Sequence, residues 1–314
     1  ALPIYYPKLA ILLSVLYYLD MKKETKRDRA DIVNSVLSNI YTNIAEPLPI
    51  EELAKGSGVS AHHLSRIYKE ETEKNIHETI KSIRLQKAAS LLLTNKYANI
   101  SEIAAMCGYG SQTSFIKAFA DRFGYTPKIW RGGGYLEYSN QIVASSKSAS
   151  ASDREFEGVI PKIRKSEPIR AAYVRHNGYG ISIKNSWNRL YAWALQNNIA
   201  QNARQIGLHH DNPTVTPLSK CAYVAAIEVG AEVDGHKEVG IFEIPTSVCA
   251  VFEISGRYGD VLRFIRYVYH IWLPSSGFEA KTLPPYAVYR KNHFLDIDGS
   301  GEFDLEFYLP IGII

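Results

Sequence analysis

The stretch Ile100–Arg131, ISEIAAMCGYGSQTSFIKAFADRFGYTPKIWR, decides the reading of the N-terminal half. Ile100, Ile103 and Ala104 recur at helical spacing and form one apolar stripe. Gly108 and Gly110 bracket Tyr109, where the backbone must turn sharply. Ser111 stands where an N-cap belongs. Phe115, Phe119 and Phe123 then repeat every fourth residue and give a second helix its core face. The opposite face carries Gln112, Thr113, Ile116, Lys117 and Ala120. Amide, hydroxyl and ammonium groups on a helix anchored by aromatics suit the major groove of DNA. The same pattern also describes an αα-hairpin with a solvated polar face, so this stretch alone leaves both readings open.

The plan recurs upstream. Asp31–Ile44 is amphipathic, and Pro47 and Pro49 separate it from a short helix over Leu48–Lys55. Gly56–Ser60 is a turn, and Ser60 caps a helix over Ala61–Glu73. Leu64, Ile67 and Tyr68 face its core; His62, Ser65, Arg66 and Lys69 face outward. Ile76–Leu93 is a long connecting helix. Two such units on a rigid connector place two recognition helices in successive major grooves, about 34 Å apart.

From about residue 28 to 131 the chain resembles the DNA-binding domain of the AraC/XylS family of transcriptional regulators. Leu64, Arg66, Arg84, Ala88, Leu91 and Leu92 match in the first unit and connector. Ile103-Ala104, Gly108-Tyr109, Ser111, Phe115, Phe119, Phe123-Gly124, Thr126-Pro127 and Arg131 match in the second. Glu73 stands where glycine is usual, Lys117 where arginine is common and Trp130 where tyrosine is common; Ile116 is apolar on the expected DNA face. The resemblance implies that His62, Ser65, Arg66 and Lys69 approach one groove and Gln112, Thr113 and Lys117 the next. Arg66 is the first candidate for a base contact; a phosphate contact or an i,i+4 pair with Glu70 is the alternative.

Beyond Gly132–Gly134, the serine- and alanine-rich stretch Asn140–Asp153 reads as a flexible linker. Strand signals then appear at Ala171–Val174, Cys221–Val229, Cys249–Ile254, Tyr286–Tyr289 and Leu305–Leu309, with helices at Lys184–Asn197 and Asp260–Ile271. A shift of 78 positions aligns Ala172 with Ala250, Val174 with Phe252, Gly178 with Gly256, Leu190 with Val268 and Tyr191 with Tyr269. The half reads as a duplicated α+β unit, an arrangement able to bury a pocket between its copies, with chance similarity over one strand and one helix as the alternative.

This half resembles the GyrI-like effector-binding domain. The match rests on Gly178-Tyr179, Gly256-Arg257-Tyr258, Trp193, Trp272, His210-Asp211-Asn212-Pro213, Cys221, Ile244-Pro245 and Glu306-Phe307-Tyr308-Leu309-Pro310. The resemblance implies an aromatic cleft and a carboxylate, Glu306, that answers a cationic, lipophilic ligand. Glu306 takes the strand face opposite Leu305, Phe307 and Leu309. If those three pack on the helices, Glu306 is expected to look into the cleft. Candidate walls are Tyr173, Tyr179, Trp187, Tyr191, Tyr223, Phe252, Tyr258, Trp272 and Tyr286, each with ordinary core as its alternative.

The fold class expected is multidomain: an all-α double helix-turn-helix domain (28–131), a flexible linker (132–158) and a duplicated α+β, GyrI-like domain (159–314). Residues 1–27 are expected to be an N-terminal extension. Its apolar run Leu9–Leu19 is shorter than the roughly 20 residues a bilayer requires, and Met21 is placed near the natural start. The 314 residues carry a net charge of only +4. That charge is uneven: Lys22–Arg131 has 17 Lys+Arg against 12 Asp+Glu, a net +5, whereas Pro161–Ile314 has 16 against 15. Three widely spaced cysteines, Cys107, Cys221 and Cys249, form no disulfide or zinc pattern and read as packed, reduced thiols of a cytoplasmic protein. The function expected is an effector-modulated transcription regulator, with activation the usual mode in the family. Double-stranded DNA, a small effector and RNA polymerase are its partners; no cofactor, metal or membrane is implied. A hydrolase using the same cleft, or a protein-binding module, is the alternative.

Overall fold

The computed structural model describes residues 29–199, 203–235, 239–297 and 299–314. The expectations for residues 1–27 lie outside them. The first half is helical: α1 (29–42), α2 (Ile50–Gly56), α3 (Ala61–Thr72), α4 (Ile76–Thr94), α5 (Ile100–Met106) and α6 (Gln112–Phe123). Local chemistry sets each boundary. Ser60 and Ser111 cap α3 and α6, each hydroxyl accepting the third helical N–H at 3.2 Å. Asn75 with Glu78, and Asn99 with Glu102, close capping boxes on α4 and α5. The turn before α6 needs Gly108: its φ is +75°, and a Cβ there would lie 2.7 Å from the Arg84 guanidinium.

Two cores hold this half. One joins α1, α2, α3 and the start of α4 through Val33, Ile40, Leu53, Leu64, Ile67 and Ile80. The other packs the rest of α4 against Phe115, Phe119, Phe123 and Trp130.

The short helix α7 (Pro127–Ile129) and a π turn at Trp130–Gly134 lead into α8 (Tyr135–Ser145) and α9 (Lys147–Ser150). This corrects the expected flexible linker. Serine and alanine there serve close packing. Ser139 and Ala149 are wholly buried, Ile142 is buried, and Tyr138 meets Trp130 edge-on at 5.4 Å. Phe156 then plugs into the C-terminal core against Phe264.

Strands β1 (Lys162–Lys165), β2 (Ile169–Asn177), β3 (Gln205–His209), β4 (Ala222–Glu228), β5 (Gly240–Ile244), β6 (Val248–Arg257), β7 (Phe278–Ala280), β8 (Tyr286–Lys291) and β9 (Glu302–Ile313) form one sheet. Its order is β1-β6-β9-β8-β3-β4-β2-β5, with β7 on β9. The duplication is visible in that order, which reads symmetrically outward from the β3–β8 pair. The outermost strands are exchanged: β1 precedes β2 but pairs with β6, and β5 precedes β6 but pairs with β2. The two crossing connections touch, Ser166 N donating to Ser247 O at 2.8 Å and Ser247 N to Ser166 Oγ at 3.0 Å.

Helices α10 (Ile183–Gln196) and α11 (Asp260–Tyr267, continued by a π turn to Trp272 and by α12, Leu273–Ser275) cover one face of the sheet. The other face carries Tyr173, Leu208, Val224, Tyr286 and Tyr308 and looks toward α1.

Candidate DNA interface and effector cleft

The seven residues expected at DNA lie together on two outer helix faces. His62, Ser65, Arg66 and Lys69 are exposed on α3; Gln112, Thr113 and Lys117 are exposed on α6. Arg66 is paired within its helix, Nη1 to Glu70 Oε1 at 3.0 Å, and Glu70 also holds Arg29 at 3.2 Å. Ile116 is half-buried against the second core.

The residues expected around one ligand are divided between the two faces of the sheet. Leu305, Phe307 and Leu309 do pack under the helices, so Glu306 points to the opposite face. There it is not awaiting a cation. Arg164 Nη2 lies 2.7 Å from its Oε2, Arg290 Nη1 lies 3.7 Å from its Oε1, and the Tyr308 hydroxyl donates to it at 2.7 Å. Glu306 therefore takes the face expected of it, away from the helices, but Tyr179, Tyr223 and Tyr258 lie on the other face and two arginines, not a ligand, answer its charge. The adjacent strand β8 and, one strand further out, β1 carry the two arginines that compensate it. Tyr173 and Tyr286 share that face and line a separate groove of about 1050 Å³ against α1 and the end of α3.

Tyr179, Tyr223 and Tyr258 do converge under the helices. With Gly180, Ile183, Val261, Leu262, Tyr289, His293 and Phe294 they line a cleft between the two copies of the repeat. Tyr179 and Tyr258 come from the matching glycine-tyrosine turns before α10 and α11. Trp187 lies beneath the cleft, its indole N–H donating to the Tyr223 hydroxyl at 3.2 Å. Phe252 is core, packed on Phe264 and Trp272, and Tyr191 flanks α10 away from the cleft. Burial pushes the Tyr179 and Tyr223 phenols well above their usual range, so both stay protonated.

The fourth wall was not legible from composition. Ser146, the N-cap of α9, and Ser148 within it close the cleft to a cavity of about 30 Å³, room for one or two waters. Several contacts hold this segment. Gly259, at φ +105°, lies against the Ser148 carbonyl so closely that no side chain fits. Arg263 donates to Arg154 O at 3.1 Å and to Ala149 O at 3.4 Å, and the Ser152 hydroxyl donates to Asp260.

A second contact joins the halves. The loop His210–Val215 leaves β3 and docks on the helical half. Tyr41 bonds His210 Nδ1 at 2.7 Å, and Asp211 accepts from Lys74 at 2.8 Å and from Gln86 at 2.7 Å. Val215 enters the second helical core, and Arg122 donates to its carbonyl at 3.4 Å. Nearby, Asn34 of α1 is held by Arg175 at 2.6 Å.

Two capped helix-turn-helix units beside a duplicated sheet with a closed aromatic cleft define a DNA-binding protein with a small-molecule module. A helix-turn-helix domain model matches residues 53–133, and a GyrI-like small molecule binding domain model matches residues 161–312. The chain is 34% identical over 108 residues to the probable transcription factor PqrA of Proteus vulgaris, covering 34% of this chain and 88% of PqrA. It is 33% identical over 92 residues to the xylose operon regulatory protein of Escherichia coli K12, covering 29% of this chain and 23% of that protein. The chain thus spans about a quarter of the length of that relative. A transcriptional regulator structure from Chromobacterium violaceum, AraC-type in its DNA-binding domain, is 27% identical with a TM-score of 0.31, covering 33% of this chain and 92% of that one. The chain belongs to the AraC/XylS family of DNA-binding transcription regulators and carries a GyrI-like effector-binding domain. The matched relatives are themselves named as regulators, and no described helix is long and apolar enough to cross a membrane.

Proposed function

We propose that this chain is a one-component, non-enzymatic transcription activator of the cytoplasm. A small effector enters the cleft between the repeat copies and changes how the helical half engages DNA and polymerase. One observation carries the reading: the segment that joins the two halves, Ser146–Ser152, is itself a wall of the cleft. An effector needs more space than the closed cavity offers, so it must move that wall. The wall continues through α8 into Trp130 and the second recognition unit. Binding energy spent on displacing the segment is thereby delivered to the DNA-binding half.

The test separates the segment from the effector. Ala149 has no exposed surface, so Ala149→Arg expels α9 from the cleft without a ligand. Genomic footprinting and a reporter are expected to show this variant acting as the effector-bound form does. A folded Ala149→Arg protein with wild-type footprints and wild-type output would refute the coupling.

A further inference from the structure

The cleft contains a polar group with no hydrogen-bond partner among the described residues. His293 follows β8 and lines the cavity with 8% of its surface exposed. Neither ring nitrogen bonds any of the described residues. Its surroundings are rings: Phe294 at 4.1 Å, Phe303 at 5.4 Å, Tyr258 at 5.7 Å and Tyr289 at 6.1 Å between centroids. An unpaired buried donor and acceptor are each destabilising, and a bound partner would remove that cost. The imidazole is also neutral, because burial lowers its pKa to about 4. It therefore offers one donor and one acceptor, not a charge.

The cleft wall also lacks a counter-ion. Its described lining residues are tyrosines, serines, glycines, aliphatics, Phe294 and His293, with no Asp or Glu among them. Glu306, the carboxylate expected to select a cation, is on the far face and held by Arg164 and Arg290. A cation entering the cleft would lose its water for ring faces alone. A neutral aromatic bearing a hydroxyl or amide would bury its ring among the tyrosines and complete His293.

We infer that the cleft selects an uncharged aromatic compound carrying a hydrogen-bonding group, and that His293 is the residue that reads that group. The inference rests on the cleft being the effector site. It is tested on the full chain with three compounds of nearly the same shape: 4-ethylphenol, ethylbenzene and 1-methyl-4-ethylpyridinium. Titration calorimetry is expected to show 4-ethylphenol binding roughly 10-fold more tightly than either of the others, the value of about one well-placed hydrogen bond. His293→Phe is expected to bring the phenol-to-ethylbenzene ratio toward one, and His293→Gln, which keeps a donor and an acceptor, to preserve it. Equal or tighter binding of the pyridinium would overturn the inference, as would an unchanged ratio in His293→Phe. Gly180→Trp separates the two levels, since a side chain at Gly180 projects toward the Tyr258 hydroxyl 3.8 Å away and fills the cleft. If the pyridinium binds best and Gly180→Trp abolishes that binding, the cleft stands and the selectivity falls. If binding is absent, or indifferent to Gly180→Trp, both fall.

Discussion

The two helix-turn-helix units use one local design in two settings. Each recognition helix has twelve residues, begins at a capping serine and ends at a left-handed residue, Glu73 at φ 58° or Gly124 at φ 73°. The first unit packs largely aliphatic side chains and is tied to the sensor through Asn34, Tyr41 and Lys74. Its leading base-reading candidate, Arg66, is neutralised within its own helix. The second unit is built on an aromatic stack in which Phe119, Phe123 and Trp130 meet at 4.5 to 5.6 Å. Lys117 on its outer face has no ion pair among the described residues. The difference teaches that fold and recognition need not be divided equally between repeats. The second unit has the stiffer platform and takes Val215 of the sensor into its core, whereas the first is tied to the sensor by polar contacts.

The largest expected effect concerns that platform. Trp130 is fully buried and donates to Ala89 O at 3.1 Å. Trp130→Ala should cost about 3–5 kcal/mol in denaturant unfolding and melt the second unit first; a loss below about 1 kcal/mol would break the contrast. Next come the charges. Arg66→Ala should weaken specific DNA binding by about 1–3 kcal/mol, whereas Lys117→Ala should chiefly lower the salt slope by about one. Equal loss on specific and random DNA for Arg66→Ala would remove its reading role. The smallest effect concerns the helix end. Glu73→Gly relieves a left-handed non-glycine residue and should stabilise the first unit by up to about 1 kcal/mol, read as a higher thermal midpoint.

The helical half was legible because its signals are local. Ser60, Ser111 and the four-residue spacing of the phenylalanines specify caps and faces within a few residues of themselves. The strands of the repeat were legible where they alternate or run apolar, but β1, a charged Lys-Ile-Arg-Lys edge, left no such signal. Side-chain alternation correctly placed Glu306 opposite Leu305 and Phe307. It could not reveal that β1, distant in sequence, would bring Arg164 to that side, or that Arg290 of the preceding strand β8 would join it. The stretch 132–158 failed for the opposite reason. Small polar residues resemble a loose tether, yet Ala149 is small because Gly259 and Arg263 crowd it. His293 gave no warning either, since an isolated histidine acquires meaning only from what fails to bond it.

The exchange of β1 and β5 makes the two copies of the repeat mutually dependent. Each borrows its border strand from the segment leading into the other, so neither copy is a self-sufficient building block. Cutting the sensor between them would leave two fragments with raw edges, not two small domains. The crossing at Ser166 and Ser247 then acts as a buckle. Together with the β3–β8 pairing it holds the copies in one continuous sheet, which is the floor of the cleft.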